Sequence, residues 1–431
     1  MILFNGQLYS DTELEYVLAK LEACCLDTIE QRSSMVSDVI DACDALAEKI
    51  DVGCYDDIIL PLLAEGTFSR QQLEDAVSFF RREHLEFKYQ TELGIVSENL
   101  TPIPGVSGVT IERSLAPLGI LFHIAAGNAE GLPFYSVIEG LLTGNINLLK
   151  LPSADNGLSL LLLQELLKIR PVLAPYIAVF DFPSTDTRLL KTLAGLADAI
   201  VIWGGDEAIR AARTLADPAT QIISWGHKLS FAYITPDAST EELQTLAAHI
   251  CSTNQLLCSS CQGIFVDTDD MSVIEAIGEK FLTLLDAEAA NYPQNHIGIR
   301  GKVSISLYNE ELEVGSSGKK VLHGNGVSVL VCPDSSLELS YMFRNCWIKP
   351  LPRTNIVKTL KSYRGYLQTV GLICPESERS ALTDILSKTG VTRITYGFDM
   401  SRTVSGETHD GEYALRRYSR IIEKEADAKY V

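Results

Sequence analysis

The chain has 431 residues, of which 46% are hydrophobic and 21% charged, so it is long enough for more than one hydrophobic core and has the composition of a globular protein. Its formal net charge of −20 repels phosphate backbones and anionic lipids, which argues against nucleic-acid and membrane-surface binding. The sequence has no apolar run of the roughly 20 residues that a spanning helix needs, and its acidic start is unlike a signal peptide. The ten scattered cysteines favour a reducing compartment, so we expect a cytoplasmic protein.

The first half of the chain changes from helical spacing to an alternating pattern. Residues 8–93 have apolar side chains at helical intervals and predict a helical N-terminal region. Strand and helix patterns then alternate through 115–235, which predicts a parallel sheet covered on both faces, with right-handed crossovers. The predicted strands are 118–125, 146–150, 176–180, 199–203 and 229–234, and the predicted helices are 132–142, 156–168, 187–196 and 206–215.

Beyond residue 236 the alternation continues less regularly and predicts a second α/β domain. The predicted helices are 240–251 and 272–287, and the predicted strands are 262–266, 302–307, 326–331, 368–373 and 392–396. The tail 411–428 is highly charged, which is typical of an exposed helix or arm.

The segment Asn254-Gln-Leu-Leu-Cys258-Ser-Ser-Cys261 joins a predicted helix to a predicted strand. At such a junction a thiol can face a cleft while backbone N–H groups stabilise a thiolate and an oxyanion, so Cys258 is a candidate nucleophile. One alternative is a pair of buried structural cysteines, which composition alone favours by about three to one. Another is a redox pair or half of a zinc site, for which the sequence offers no second set of ligands. We therefore predict no metal site.

Two polar residues follow predicted strands, at the edge where parallel sheets bind ligands. Asn128 lies in a loop of small residues, where its amide can donate to an oxyanion; the alternative is an asparagine in a tight turn. Lys150 ends an apolar strand and can reach a ribose or a 2′-phosphate; the alternative is a surface lysine with a buried stem.

A pair of glycines, Gly204 and Gly205, lies between a predicted strand and a predicted helix. The N-terminus of such a helix can accept a pyrophosphate. The alternative is an ordinary turn in which Asp206 and Glu207 cap the helix. The chain has no G-x-G-x-x-G, so the usual dinucleotide fingerprint is absent.

The order and spacing of these segments resemble the aldehyde dehydrogenase superfamily. Five segments carry the resemblance: Pro117-Leu-Gly-Ile at the first cofactor-domain strand, Asn128 as the oxyanion asparagine, Lys150 with Pro152 at the ribose, Gly204-Gly205 under the pyrophosphate, and Asn254-Gln255 before the nucleophile Cys258. The stretch 118–128, the Cys-Ser-Ser core and His409-Asp-Gly411 are similar to acyl-CoA reductases of the LuxC type. The resemblance implies an α/β fold with a Rossmann-type cofactor domain and a second α/β catalytic domain.

The resemblance also implies a domain division and a reaction. Residues 1–235 are expected to form the helical region and the NAD(P)-binding domain, 236–405 the catalytic domain, and 406–431 an arm for homo-oligomerisation. The reaction is NADPH-dependent reduction of an acyl-CoA, with a fatty acyl group favoured, to an aldehyde through a Cys258 thioester, with CoA as the leaving group. NADH is an alternative reductant, and Ser153 is placed to accept the 2′-phosphate of NADPH. An enzyme that donates the acyl group or accepts the aldehyde is a candidate partner.

Two positions depart from the superfamily pattern. Ser224 stands where hydrolytic relatives have a glutamate that activates water, which implies slow hydrolysis and favours exchange with a thiol such as CoA. Cys261 stands where proline is common, and we expect it to be a packing residue. Two other functions remain open: a CoA-acylating aldehyde dehydrogenase that works oxidatively, and a non-catalytic binding or scaffold protein with a relic dinucleotide domain.

Overall fold

The computed structural model describes residues 1–62, 70–94, 110–125, 131–153, 155–292 and 297–426. The chain divides into two compact units, which are Met1–Gly226 with Val404–Val431, and His227–Thr403. Strands and helices are numbered along the chain. No helix in the described ranges combines the length and the apolar character needed to cross a bilayer.

The first unit begins with a hairpin and a group of helices. The hairpin strands are β1 (Ile2–Phe4) and β2 (Gln7–Tyr9), and the helices are α1 (Leu14–Glu30), α2 (Val36–Asp51), α3 (Asp56–Leu62), α4 (Arg70–Ser78) and α5 (Arg82–Leu93). The prediction of helix from residue 8 is wrong at its start, because Asn5 and Gly6 both have positive φ and form the tight turn of the hairpin.

The first unit contains a seven-stranded sheet in the order β2-β1-β6-β5-β4-β7-β8. Its five parallel strands are β4 (Ile120–Ile124), β5 (Ile146–Lys150), β6 (Ile177–Phe180), β7 (Ala199–Trp203) and β8 (Gln221–Trp225). The helices between them are α6 (Leu132–Leu142), α7 (Leu158–Ile169), α8 (Thr187–Leu196) and α9 (Asp206–Leu215). The predicted parallel sheet is confirmed. Strand order reverses between β4 and β7, and such a reversal is where open α/β sheets bind ligands, at the carboxyl ends of the strands.

The C-terminal segment belongs to the first unit. A short helix, α15 (Ala414–Arg417), leads into β16 (Ser419–Ala426), which pairs antiparallel with β3 (Thr110–Pro117) along its whole length. The tail is therefore mainly a strand. Of the predicted exposed helix or arm, the helical alternative is wrong, because α15 is one short turn in which Ala414 and Leu415 are buried. The partner of β16 lies about 300 residues away in the chain, so local spacing in the tail gave no signal for the pairing.

The second unit has its own seven-stranded sheet in the order β11-β12-β13-β10-β9-β14-β15, parallel except at β11. The strands are β9 (Leu229–Ile234), β10 (Cys261–Val266), β11 (Lys320–His323), β12 (Ser328–Val331), β13 (Asn345–Pro350), β14 (Leu367–Ile373) and β15 (Arg393–Thr395). The helices are α10 (Thr240–Thr253), α11 (Met271–Ala289), α12 (Ile297–Ser317), α13 (Ile356–Leu360) and α14 (Glu376–Ser387).

The predicted strand at 302–307 is wrong, because these residues lie inside α12. Val303, Ile305 and Leu307 alternate with polar residues, which favoured a strand. In the helix, Leu307 is 5% exposed and Ile305 is 65% exposed. Val303 and Leu307 are four residues apart and lie on one face of the helix. Three alternating residues are compatible with helical spacing as well as with a strand, so this short pattern was misleading.

Candidate functional site

Lys150 lies at the carboxyl end of β5 and is only 2% exposed. Its ammonium group donates a hydrogen bond to the Ser184 hydroxyl at 2.8 Å. Burial lowers the pKa of Lys150, and the nearby Asp181 carboxylate opposes this effect in part. No ion pair to Lys150 is present among the described residues. Lys150 is thus a buried cation with a neutral partner, and the alternative of a surface lysine does not describe it.

Gly204 and Gly205 follow β7, on the other side of the central strand from β5. A Cβ at Gly204 would lie 3.2 Å from the Cβ of Ala208, whereas a Cβ at Gly205 would meet no atom within 4 Å. Gly205 is the N-cap of α9, and no side chain caps that end of the helix. The alternative in which Asp206 or Glu207 is the cap is therefore wrong. A helix start that has no side-chain cap and has space in front of Gly205 fits a pyrophosphate.

Two predicted residues lie around the same edge of this sheet. Asn128 lies outside the described residues, between the end of β4 and the start of α6. Ser153 is exposed in the connection from β5 to α7. The structure thus brings Lys150 and the glycine pair to one edge of the first sheet, with Ser153 following Lys150 by three residues.

An aromatic cluster at the ends of β7 and β8 was not predicted. The rings of Trp203 and Trp225 lie 5.6 Å apart, and the His409 ring meets them edge-on at 5.1 and 4.8 Å. The Trp203 indole N–H donates to the Ser136 hydroxyl on α6 at 2.9 Å. This cluster fixes the strand end that immediately precedes the glycine pair. The His409-Asp-Gly element was visible in the sequence, but its contact with two tryptophans was not.

His123 lies inside the same sheet and is completely buried. Its Nδ1 atom is hydrogen-bonded to the Ser136 hydroxyl at 2.7 Å, and its Nε2 atom is hydrogen-bonded to the Asn147 side-chain oxygen at 3.0 Å. Burial lowers the pKa of His123 to about 4. The ring is therefore neutral near pH 7 and serves packing.

Cys258 belongs to the second unit, in the connection between α10 and β10, at the amino end of that strand. Its side chain is exposed, and its carbonyl oxygen accepts a hydrogen bond from the buried Ser230 hydroxyl on β9 at 2.6 Å. Ser230 also accepts from the Thr369 N–H at 3.0 Å, which ties β9, β14 and the cysteine loop together. Ser230 was missed because a serine within an apolar strand shows only that its hydroxyl needs a partner, not which one.

The side chain of Gln255 holds the cysteine loop in place through hydrogen bonds to the backbone. Asn254 and Gln255 have φ values of 48° and 62°, so two consecutive residues adopt the left-handed conformation that turns the chain out of α10. The buried Gln255 amide donates to the Cys261 carbonyl at 3.1 Å and accepts from the Arg344 N–H at 3.0 Å. The loop therefore presents an exposed thiol on a fixed backbone.

The two cysteines of this segment have opposite environments. Cys261 is fully buried in β10, and burial raises the pKa of its thiol to about 12. It packs in the core of the second unit, as predicted. All ten cysteines lie in described ranges, and each is a thiol rather than half of a disulfide. The described residues contain no group of three or more His, Cys, Asp or Glu side chains arranged to hold a metal.

Ser224 lies in β8 and is half-buried. Its backbone carbonyl accepts a hydrogen bond from the Arg417 guanidinium at 3.4 Å. A hydroxyl has no basicity near neutral pH, so this position supplies no general base.

Residues 34–421 match the profile of the acyl-CoA reductase (LuxC) family. The chain belongs to this family. Similar curated proteins include the long-chain acyl-protein thioester reductase 2 of Photobacterium leiognathi, 25% identical over 320 residues, and the long-chain acyl-protein thioester reductase of Photorhabdus laumondii, 26% identical over 323 residues. Each alignment covers 73% of this chain, and the two cover 66% and 65% of the relatives' lengths, slightly less than two thirds.

Solved structures of aldehyde dehydrogenases share the fold of this LuxC-family chain. The methylmalonate-semialdehyde dehydrogenase of Oceanimonas doudoroffii is 12% identical, with a TM-score of 0.75 over 100% of this chain and 98% of its own. The NAD-dependent benzaldehyde dehydrogenase of Corynebacterium glutamicum is 14% identical, with a TM-score of 0.67 over 98% and 91%. The predicted LuxC family and the predicted α/β fold, which is like that of aldehyde dehydrogenases, are confirmed.

Proposed function

We propose that the chain reduces a fatty acyl thioester to an aldehyde, with Cys258 as the covalent nucleophile and NADPH as the reductant. The observation that carries this proposal is the contrast within one short segment, where Cys258 is exposed on a braced loop and Cys261 is buried. An accessible thiol in an enzyme-family fold is suited to covalent catalysis, whereas a thiol with a strongly raised pKa is not.

The dinucleotide is assigned to the carboxyl edge of the first sheet. Lys150 would donate to the adenosine ribose, and the N–H groups that follow Gly205 would bind the pyrophosphate. Ser153, exposed and uncharged, would leave room for the 2′-phosphate, which favours NADPH over NADH. When bound, the reduced nicotinamide supplies the hydride that converts the Cys258 thioester to a thiohemiacetal.

The chain's own groups perform the other steps. The Cys258 thiolate adds to the acyl carbon, and the Asn128 amide with the Cys258 N–H stabilises the resulting oxyanion. The bond to the CoA sulfur then breaks, and the CoA thiolate leaves and takes up a proton. After reduction, the bond between the acyl carbon and Cys258 breaks, which releases the aldehyde and restores the cysteine. Because Ser224 supplies no base, hydrolysis of the thioester is slow.

An acyl-protein thioester is a second candidate donor. The family is described as acyl-CoA reductase, whereas the curated relatives are named for acyl-protein thioesters. Both donors present the same thioester carbonyl to Cys258, so the chemistry is common to them and the leaving thiol differs. Oxidation of an aldehyde to an acyl-CoA is the same sequence in reverse.

The domain roles are proposed in the same way. The first unit would hold the dinucleotide and the second the nucleophile, while the ribbon of β3 and β16 would form an arm between copies of the chain. Ile421 and Ile422, 54% and 45% exposed, give this ribbon apolar surface that a partner copy can cover. We place the enzyme in the cytoplasm.

The test is NADPH-dependent aldehyde release from myristoyl-CoA by wild type, Cys258→Ala and Cys261→Ala, with NADH in parallel. Cys258→Ala should lose turnover entirely and still bind NADPH, while Cys261→Ala should keep it, because only Cys258 forms the thioester. Turnover by Cys258→Ala would refute the assignment of Cys258 as the nucleophile.

Ser153→Asp tests the cofactor preference. It should shift the preference towards NADH, since a carboxylate repels the 2′-phosphate; an unchanged ratio of NADPH to NADH activity would remove Ser153 from that role.

A further inference from the structure

An apolar cavity of about 70 Å³ lies in the first unit, between the N-terminal helices and the sheet-covering helices. Its walls come from α2, α3, α4, α6 and α7, and they include Leu46, Ala47, Ile59, Val77, Phe134 and Leu158. All six of these side chains are buried. The described residues of the lining carry no charge, so a hydrophobic ligand fits the cavity better than an ionic one.

One side of the cavity reaches the surface. Ala76 on α4 is exposed, and Phe80, Gly131 and Leu162 are half-buried around it. No atom of the described residues lies within 4 Å of a Cβ built at Gly131, so they leave the space in front of this residue open. The cavity thus has an apolar inner wall, the floor, which includes Leu46 and Ala47 of α2, and an entrance beside the start of α6.

The entrance is close in the chain to the proposed oxyanion donor. Gly131 follows Asn128 by three residues, and three residues of polypeptide span at most about 11 Å. An acyl group whose carbonyl oxygen is bound by Asn128 therefore has its methylene chain within reach of the entrance.

We propose that this cavity binds the distal methylene groups of the acyl chain and sets the chain length that the enzyme prefers. The proposal rests on the proposed function. A water-sized group takes roughly 10–15 Å³ of such space, so the cavity holds about five methylene groups. Water makes no hydrogen bonds to the walls of an apolar cavity, so such a cavity stays dry and binds hydrocarbon groups.

The expected chain-length dependence follows from the burial of methylene groups. Each one buried changes binding roughly fourfold, which is about 0.8 kcal/mol. Once the chain is long enough to enter, kcat/KM should therefore rise by about fourfold per methylene until the cavity is full, and then level off. Acetyl-CoA should react at least about 100-fold more slowly than the best acyl-CoA.

Two variants change the cavity at different points. Ala76→Trp places a large ring at the entrance, where exposure lets the fold tolerate it, and should reduce kcat/KM for myristoyl-CoA about 100-fold while leaving butyryl-CoA within about twofold. Ala47→Phe adds six ring carbons to a cavity that holds about five methylene groups, so it should shorten the preferred chain by about five carbons. Ala19→Trp, on the exposed face of α1, is the matched control and should not change the profile.

A binding measurement separates this proposal from the proposed function. Myristate should bind Cys258→Ala by calorimetry, and the double variant Ala76→Trp/Cys258→Ala should bind it at least about 50-fold more weakly. Loss of binding in the double variant supports the cavity even if no thioester is turned over. Equal myristate affinity in both proteins, or an unchanged chain-length profile in folded Ala76→Trp and Ala47→Phe enzymes that still reduce thioesters, would overturn the cavity assignment and leave the reductase function intact.

Discussion

Two lysines at the ends of parallel strands show how the two sheets differ. Lys150 ends β5 in the first unit, and Lys349 lies near the end of β13 in the second. Both are almost fully buried, at 2% and 0% exposed. Lys150 donates to one hydroxyl, whereas Lys349 donates to the carboxylates of Asp334 and Glu338 at 2.9 and 2.6 Å.

The pKa values of the two lysines shift in opposite directions. Burial lowers the pKa of Lys150, and no carboxylate contact compensates fully for it. Burial also lowers that of Lys349, but hydrogen bonds with Glu338 and Asp334 outweigh this and raise its pKa overall. The charge of Lys349 is neutralised within the protein, so its role is structural. The charge of Lys150 is available to a ligand, which agrees with the assignment of the dinucleotide to the first sheet.

The two sheets also use opposite edges. The proposed cofactor-binding residues of the first unit lie at the carboxyl ends of β5 and β7, which is the usual ligand-binding edge of parallel sheets. Cys258 precedes the amino end of β10 in the second unit, while the carboxyl edge of that sheet carries an ion pair between Arg353 and Asp267. A shared architecture therefore does not decide where the chemistry lies; the loop that carries the reactive side chain does.

The largest effect on turnover after loss of Cys258 is expected at Asn128, which tests whether the first unit takes part in the chemical step. Asn128→Ala should lower kcat by about 10²–10³, because one oxyanion donor is removed. The rate of Cys258 alkylation by iodoacetamide should not change, since the thiol itself is untouched. A kcat within twofold of wild type would confine the chemistry to the second unit.

The lysine comparison predicts two separable outcomes. Lys150→Met should raise the KM for NADPH about 10- to 100-fold, because a charge-assisted hydrogen bond to the cofactor is lost. It should not lower the free energy of unfolding, because a buried charge is removed at the same time. Lys349→Met should lower that free energy by about 1–3 kcal/mol, because Asp334 and Glu338 lose their partner, and should leave the KM for NADPH unchanged. Urea unfolding and steady-state kinetics on both variants measure this; a raised KM in Lys349→Met alone would reverse the two assignments.

The neutral histidines, one in each unit, are expected to affect the pH dependence of stability rather than turnover. Burial lowers the pKa of His123 and that of His249 to about 4. Since both lie below the unfolded value of 6.5, the unfolded chain binds protons first as pH falls, and stability declines between about pH 6.5 and 4. From pH 7 to 4.5, each should cost about 2–3 kcal/mol of unfolding free energy.

His249→Gln is the matched variant for this pH dependence. His249 accepts a hydrogen bond from the Cys261 N–H at 3.2 Å, and a glutamine oxygen can accept the same bond without titrating. The variant should therefore lose about half of the histidine contribution to the pH dependence, as measured by urea unfolding. An unaltered slope would show that His249 is not responsible.

The sequence predicted those parts of the molecule whose signal is local. The apolar runs of β5 and β7 defined their own ends, so the positions of Lys150 at the end of β5 and of the glycine pair after β7 were predicted correctly, while their roles stay predictions. The Ser230 hydroxyl that holds the Cys258 carbonyl comes from 28 residues away, and the Arg344 backbone that anchors Gln255 from 89 residues away. Such contacts are specified by the packed sheet rather than by spacing. The pairing of β16 with β3 was missed for the same reason, whereas the Asn5-Gly6 turn had a readable signal.

The most direct test of the account is mass spectrometry of the enzyme after incubation with myristoyl-CoA in the absence of NADPH. The account predicts one myristoyl group per chain, attached to the peptide that contains Cys258, and its release as aldehyde when NADPH is added. Acylation of a different cysteine, or NADPH-dependent aldehyde formation with no covalent adduct on Cys258, would contradict it.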